Sequence, residues 1–177
     1  MADYVTDGKI GIDLTATYAS TSAGSTTLFP VTPGTRVGTS NNGVYIFVRA
    51  ESTISAYDAV IMSTYADSAS TTPVMRAVPV TTTNAKDLGF NMVGFAQTAI
   101  ASSYYGWVGL NGTLKVNLLV ACQPKVPLYT TATAGSLDDT TVSAGFIQGI
   151  VANTSATSAS APFCMVNNAG LIMVGAG

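Results

Sequence analysis

Apolar and polar residues alternate with period two along much of the chain. Ile10, Ile12, Leu14 and Ala16 alternate with Lys9, Gly11, Asp13 and Thr15, the pattern of a half-buried strand. Residues 19–27 are only Ala, Ser, Thr and Gly and have little to bury, so they are expected to form a loop or tether. Pro30, Pro33 and Gly34 follow as turn signals. Residues 1–35 are therefore expected to form an N-terminal arm and linker, and residues 36–177 a β-rich body.

In the body, Asn41-Asn42-Gly43 predicts a turn and Val44-Tyr45-Ile46-Phe47-Val48 a strand buried on nearly both faces. Residues 59–62 predict the next strand. Residues 74–80 predict another, with Pro79 marking an edge or a bulge. Further strands are expected at 92–96, 105–110, 114–118, 126–129, 146–151, 163–166 and 171–174, with a bulge where Leu118-Leu119 breaks the alternation. Turn signals separate these runs, the spacing of a barrel or sandwich. Residues 52–58 are the one candidate for a short helix.

The order glycine with apolar pair, small-residue link, strand, glycine turn, strand occurs twice. It runs first from Gly94-Phe95-Ala96 to Val116, and again from Gly149-Ile150-Val151 to Val174. Two similar β units sharing one core, or chance similarity in a simple composition, both account for this. The expected fold is all-β: a compact barrel-like or sandwich-like body, with two similar units as one option, and an extended N-terminal arm.

Composition narrows the function. Charged residues are 9 % of the chain, against roughly 25 % in ordinary soluble domains. The seven basic residues stand singly and net charge is −2, so no basic run neutralises phosphates and nucleic-acid binding is not expected. The uncharged stretches at 88–114 and 140–177 are interrupted by Gly, Asn, Gln, Ser and Thr. They lack the roughly 20 apolar residues of a spanning helix, and no membrane association is expected. The start, Met1-Ala2-Asp3-Tyr4-Val5-Thr6-Asp7, has neither the basic nor the apolar region of a signal peptide. Use in a cytoplasm is expected, with Cys122 and Cys164 as buried free thiols.

The chain contains no histidine, which removes the usual general base, the Ser-His and Cys-His pairs and most metal sites. Gly106-Trp107-Val108-Gly109-Leu110-Asn111-Gly112 is not a dinucleotide fingerprint and flanks strands rather than opening a helix. Asp138-Asp139 suits a solvated turn better than a metal or acid pair. No enzyme, metal or cofactor is expected. Tyr104-Tyr105-Gly106-Trp107 is the densest aromatic cluster, and Tyr104, Tyr105 and Trp107 form either strand packing or an exposed aromatic patch that stacks on sugars.

Three blocks then carry a likeness: Gly34-Thr35-Arg36-Val37-Gly38, Gly43-Val44-Tyr45-Ile46-Phe47-Val48-Arg49-Ala50 and Ile54-Ser55-Ala56-Tyr57-Asp58-Ala59-Val60. Val93-Gly94-Phe95-Ala96-Gln97-Thr98-Ala99-Ile100, Gly106-Trp107-Val108 and the run from Val126-Pro127-Leu128-Tyr129 to Asp138-Asp139 extend it. Together they resemble the decoration (cement) proteins that sit on the capsid of tailed bacteriophages. The resemblance covers most of residues 34–177 and little of the arm. It implies a non-catalytic β-rich protein on the capsid exterior, synthesised in the host cytoplasm. Its implied partners are the major capsid protein and further copies of itself, a homotrimer ahead of a dimer.

The arm's apolar residues, Tyr4, Ile10, Ile12, Leu14 and Phe29, are the expected capsid contacts. Few charges reduce the desolvation cost of burying surface on a neighbour, and an apolar strand on a tether can add to a partner's sheet. The alternatives are a glycan- or receptor-binding module using the aromatic patch, and another virion part such as a head fibre or tail tube.

Overall fold

The computed structural model describes residues 12–19, 31–66, 73–87, 92–141, 145–157 and 160–172. The elements are β1 (Arg36–Gly38), β2 (Val44–Ala50), β3 (Ala59–Ala66), β4 (Pro73–Pro79), the single helical turn α1 (Asn84–Asp87), β5 (Met92–Ala96), β6 (Tyr105–Lys115), β7 (Leu128–Thr130), β8 (Leu137–Asp138), β9 (Phe146–Ala152) and β10 (Phe163–Ile172). The fold is all-β.

All ten strands belong to one sheet, ordered β1-β2-β4-β3-β5-β6-β10-β9-β7-β8, and β2 also pairs with β6. That extra pairing closes β2-β4-β3-β5-β6 into a five-stranded barrel. Every joint is antiparallel except β2–β4, which is parallel through Arg49↔Arg76 and Ala50↔Ala77. Strand β6 is long enough to serve twice. Residues 105–109 close the barrel on β2, and residues 111–115 carry β10.

Period-two alternation sorts the side chains of these strands into two cores. Ile46, Val48 and Ala50 of β2, Val60 and Met62 of β3, Ala77 of β4, Ala96 of β5 and Val108 and Leu110 of β6 fill the barrel. A five-stranded ring is narrow, so some inward positions must lack a side chain. A Cβ at Gly94 would stand 2.5 Å from Val108 Cγ1, and one at Gly106 would stand 2.7 Å from Ile100 Cδ1. Ile54 and Ile100, which exchange both backbone hydrogen bonds at 2.9 Å, belong to the same core.

The intervening positions point outward: Tyr45 and Phe47, Ile61, Val93 and Phe95, and Trp107. The C-terminal half covers them with Leu118, Cys122, Leu128 and Leu137 and the inner faces of β9 and β10, where Ile147, Ile150, Cys164, Val166 and Leu171 lie. Burying each large side chain contributes about 1.5–3 kcal/mol, so this second core matters as much as the barrel's own.

Most expected strands are present, with differences that have physical causes. Residues 105–110 and 114–118 were expected as two strands. Instead Tyr105–Lys115 runs as one, and Gly112 at φ +110° absorbs the irregularity. Residues 163–166 and 171–174 likewise form one strand as far as Ile172, with the register shifting between Val166 and Gly170; residues 173 and 174 lie outside the described residues. The bulge expected at Leu118-Leu119 is absent because β6 has ended, and Leu118 makes isolated bridges to Leu137 and Ser160. Residues 52–58 are not helical. Asp58 there accepts the Ser55 N–H at 2.7 Å and ties the segment into a turn. Pro79 ends β4 beyond the reach of β2, where no ladder donor is required. The two halves repeat one connectivity. Leu118 pairs in parallel with Leu137 of β8 as β2 does with β4, and β8-β7-β9-β10 leads back to Ser160 beside Leu118, so the second half also closes a ring, as two similar β units would.

Candidate interaction surfaces

The aromatic cluster on β6 is divided by strand alternation. Trp107 is 1 % exposed and packs at 5.0 Å on Phe47 in the second core. Tyr105 is half-buried and stacks on Phe47 at 5.9 Å. Tyr104, just before β6, is 39 % exposed. The expected exposed patch of Tyr104, Tyr105 and Trp107 therefore reduces to Tyr104, because the alternate residues of β6 face a core on each side.

Of the expected arm contacts, Ile12 and Leu14 are described, and Tyr4, Ile10 and Phe29 lie outside the described residues. Ile12 and Leu14 are half-buried and, with Tyr18 and Val31, pack against the second core of their own chain. Among its described residues, 12–16, the expected strand gives way to a turn: Asp13 Oδ1 accepts the Thr15 N–H at 2.8 Å and the Thr15 hydroxyl at 2.7 Å. Tyr18 then exchanges two 2.8 Å backbone hydrogen bonds with Tyr105 and places its ring edge-on to Phe47. Residues 12–19 thus lie on the body beside the first residue of β6 rather than standing apart from it.

The opposite end of β6 carries a second surface. Inward residues of β10 alternate with Phe163, Met165 and Asn167, which face out. Phe163 is 52 % and Met165 63 % exposed, and Val151 of β9, opposite Met165, is 44 % exposed. Across β10, Met165 faces Thr113, Phe163 faces Lys115 and Asn167 faces Asn111 of β6. Lys115 places its Nζ 5.5 Å from the Phe163 ring and 5.2 Å from that of Tyr57. The β1–β2 turn borders this face through Asn111 Nδ2, which donates to the Asn42 carbonyl at 3.3 Å. Two open hollows, about 630 Å³ and 460 Å³, share Asn41, Asn111 and Thr113 and form one groove. Alternation in 163–167 was visible in the sequence, but both sets of positions are largely apolar, so hydropathy did not show which set faces out.

Titratable groups gather elsewhere. The Cys122 thiol and the Asp138 and Asp139 carboxylates bring ligand atoms within 4.8 Å of one another. Asp139 Oδ2 is engaged there by the Gln123 N–H at 2.9 Å. Burial, and then the charges of Asp139 and Asp138, push the Cys122 thiol up to about 11. Burial and the neighbouring Cys122 push Cys164 up to about 12. A thiol this reluctant to ionise is a core residue rather than a nucleophile. Asp58, raised by burial, accepts from Ser55 N–H and from Asn117 Nδ2 at 2.9 Å and joins the turn before β3 to the segment after β6.

No protein-family model, curated protein or solved structure matches the chain.

Proposed function

We propose that this chain is a structural virion protein that binds the outer surface of a tailed-phage capsid and cements neighbouring capsomers, performing no reaction of its own. The observation that carries this reading is the attachment of the arm. An apolar segment lies on the rigid body at one point, through the Tyr18–Tyr105 pair and half-buried Ile12 and Leu14. An arm on a preorganised body binds a lattice with little ordering cost in the body, and repeated weak contacts add by avidity. The sequence resemblance supports the same reading, as does a surface with few charges to desolvate.

The proposed partners are the major capsid protein and two further copies of the chain in a trimer. Removing residues 1–11 is expected to leave the body folded by circular dichroism while capsid occupancy falls steeply. Removing 1–33 is expected to abolish occupancy and also to lower stability, because Tyr18 no longer covers Phe47. Full occupancy after both deletions would overturn the arm's role. Light scattering of the purified protein tests the trimer, and a copy number per virion near that of the capsid protein separates this reading from a head fibre or tail tube.

A further inference from the structure

We infer that the groove between the β1–β2 turn and the outward faces of β6 and β10 is a binding site for a neutral oligosaccharide. The inference stands on three independent features of the groove. The first is its chemistry. Asn41, Asn111 and Asn167 line it with carboxamides and Thr113 with a hydroxyl, and no Asp, Glu, Lys or Arg is among the lining residues. Carboxamides both donate and accept, so they can match the paired hydroxyls of a sugar ring. Lys115, its Nζ 5.5 Å from the Phe163 ring, borders the groove at that end without being among its lining residues.

The second feature is the pairing of these amides with apolar surface. Phe163, at one end, is 52 % exposed, and Met165 is 63 % exposed in the middle of the face. Neither exposure serves the fold, since alternate residues of β10 already supply the core. Sugar rings present a C–H face that packs on an aromatic ring while their hydroxyls reach the flanking amides. An exposed ring beside amides suits that mixed surface better than it suits a fully apolar partner.

The third feature is close backbone packing at two of its glycines. Gly112 approaches the β1–β2 turn so closely that a Cβ there would stand 3.0 Å from the Gly43 Cα. At Gly149 a Cβ would stand 2.6 Å from the Asn167 carbonyl oxygen. Both glycines have positive φ, +110° and +81°. Backbone is thereby held tightly against backbone at both glycines, which fixes the shape of the groove and lowers the ordering cost of binding.

Position along β6 makes this activity compatible with the proposed capsid role. The arm meets β6 at Tyr105 and the groove begins at Asn111, a separation of about 20 Å at strand rise. A molecule seated by its arm end can present the groove away from the shell.

The test is a glycan array probed with the full chain, containing neutral, sialylated and sulfated oligosaccharides, followed by titration calorimetry on the hits. Binding to neutral glycans is expected, weakened by about tenfold or more in Phe163→Ala and in Asn167→Ala. Both substitutions lie on the outward face, so their melting curves are expected to match the parent's. Tyr104→Ala is expected to bind as the parent does. Silence across the neutral glycans, a preference for acidic ones, or loss of binding in Tyr104→Ala but not in Phe163→Ala would each overturn the site. So would sedimentation showing that the face is occupied by a second copy, with Met165→Lys producing monomers. Capsid occupancy is measured separately, so failure of the glycan site and failure of the capsid role are distinguishable.

Discussion

Cys122 and Cys164 show how burial sets the chemistry of a residue. Both are fully buried in the second core, and their thiols are pushed up to about 11 and 12 from an ordinary 9.0. In the folded protein at neutral pH neither is expected to react with dithionitrobenzoate, and both are expected to react in urea; a rapid reaction under native conditions would refute this. Because the folded pKa values lie above the unfolded ones, the stabilisation from holding these protons is complete below about 9 and is lost as pH rises through 11 to 12. Urea midpoints are therefore expected to fall on the alkaline side.

Asp58 obeys the same sign rule at the other end of the scale. Burial raises its pKa above 3.8 despite two hydrogen bonds that favour the anion. Its contribution is fully present below 3.8 and is lost as pH rises through the raised value. The stability of the parent relative to Asp58→Asn is therefore expected to improve on going from pH 7 to pH 4, measured by urea unfolding at each pH. A pH-independent difference would count against it. That Cys122 and Cys164 are buried was legible from their type and the expected compartment. The burial of Asp58 was not, because an isolated acid in a turn-like run resembles any solvated turn.

At the scale of the element, the decisive feature is what the barrel strands omit. Gly94 faces Val108 and Met62 inside the ring, with a Cβ there only 2.5 Å from the Val108 methyl. Gly94→Ala is expected to destabilise by about 1–3 kcal/mol, the usual cost of overpacking. Thr113→Ala on the outward face is expected to stay within about 0.5 kcal/mol. Equal urea midpoints for the two variants would show that the barrel has slack. The apolar runs at 44–48, 59–62 and 92–96 were enough to locate these strands. The long β6 and β10 were divided in error at Gly112 and Gly170, since glycine marks a turn and a bulge equally well. The neighbours decide between them: β2 and β10 hold both sides of Asn111.

For the whole molecule, the two cores occupy opposite faces of the same strands. Phe47 and Ile46 are adjacent in β2, and one lies in each core. Neither core can be lost while the other keeps its strands in register, so unfolding is expected to be a single transition. Fluorescence of the single tryptophan, Trp107, reports the second core, and far-ultraviolet circular dichroism reports the sheet. Coincident urea curves are the expected outcome; separated ones would mean that the barrel survives alone. The repeated order in the sequence has its counterpart here: the C-terminal half closes its own ring through the Leu118–Leu137 and Leu118–Ser160 bridges and shares β6 with the first.

From its residues alone, this chain was readable as all-β, strand by strand, and as poor in the groups that perform reactions. Those properties reside in local alternation, turn residues and composition, which neighbours along the chain suffice to reveal. Which strands meet was not readable, nor which alternate face turns outward, nor that Trp107 would be buried while Phe163 and Met165 are exposed. A period of two divides a strand into two faces without saying which of them is covered. That is decided only when β2 closes on β6 and the second half of the chain packs over one side of the ring.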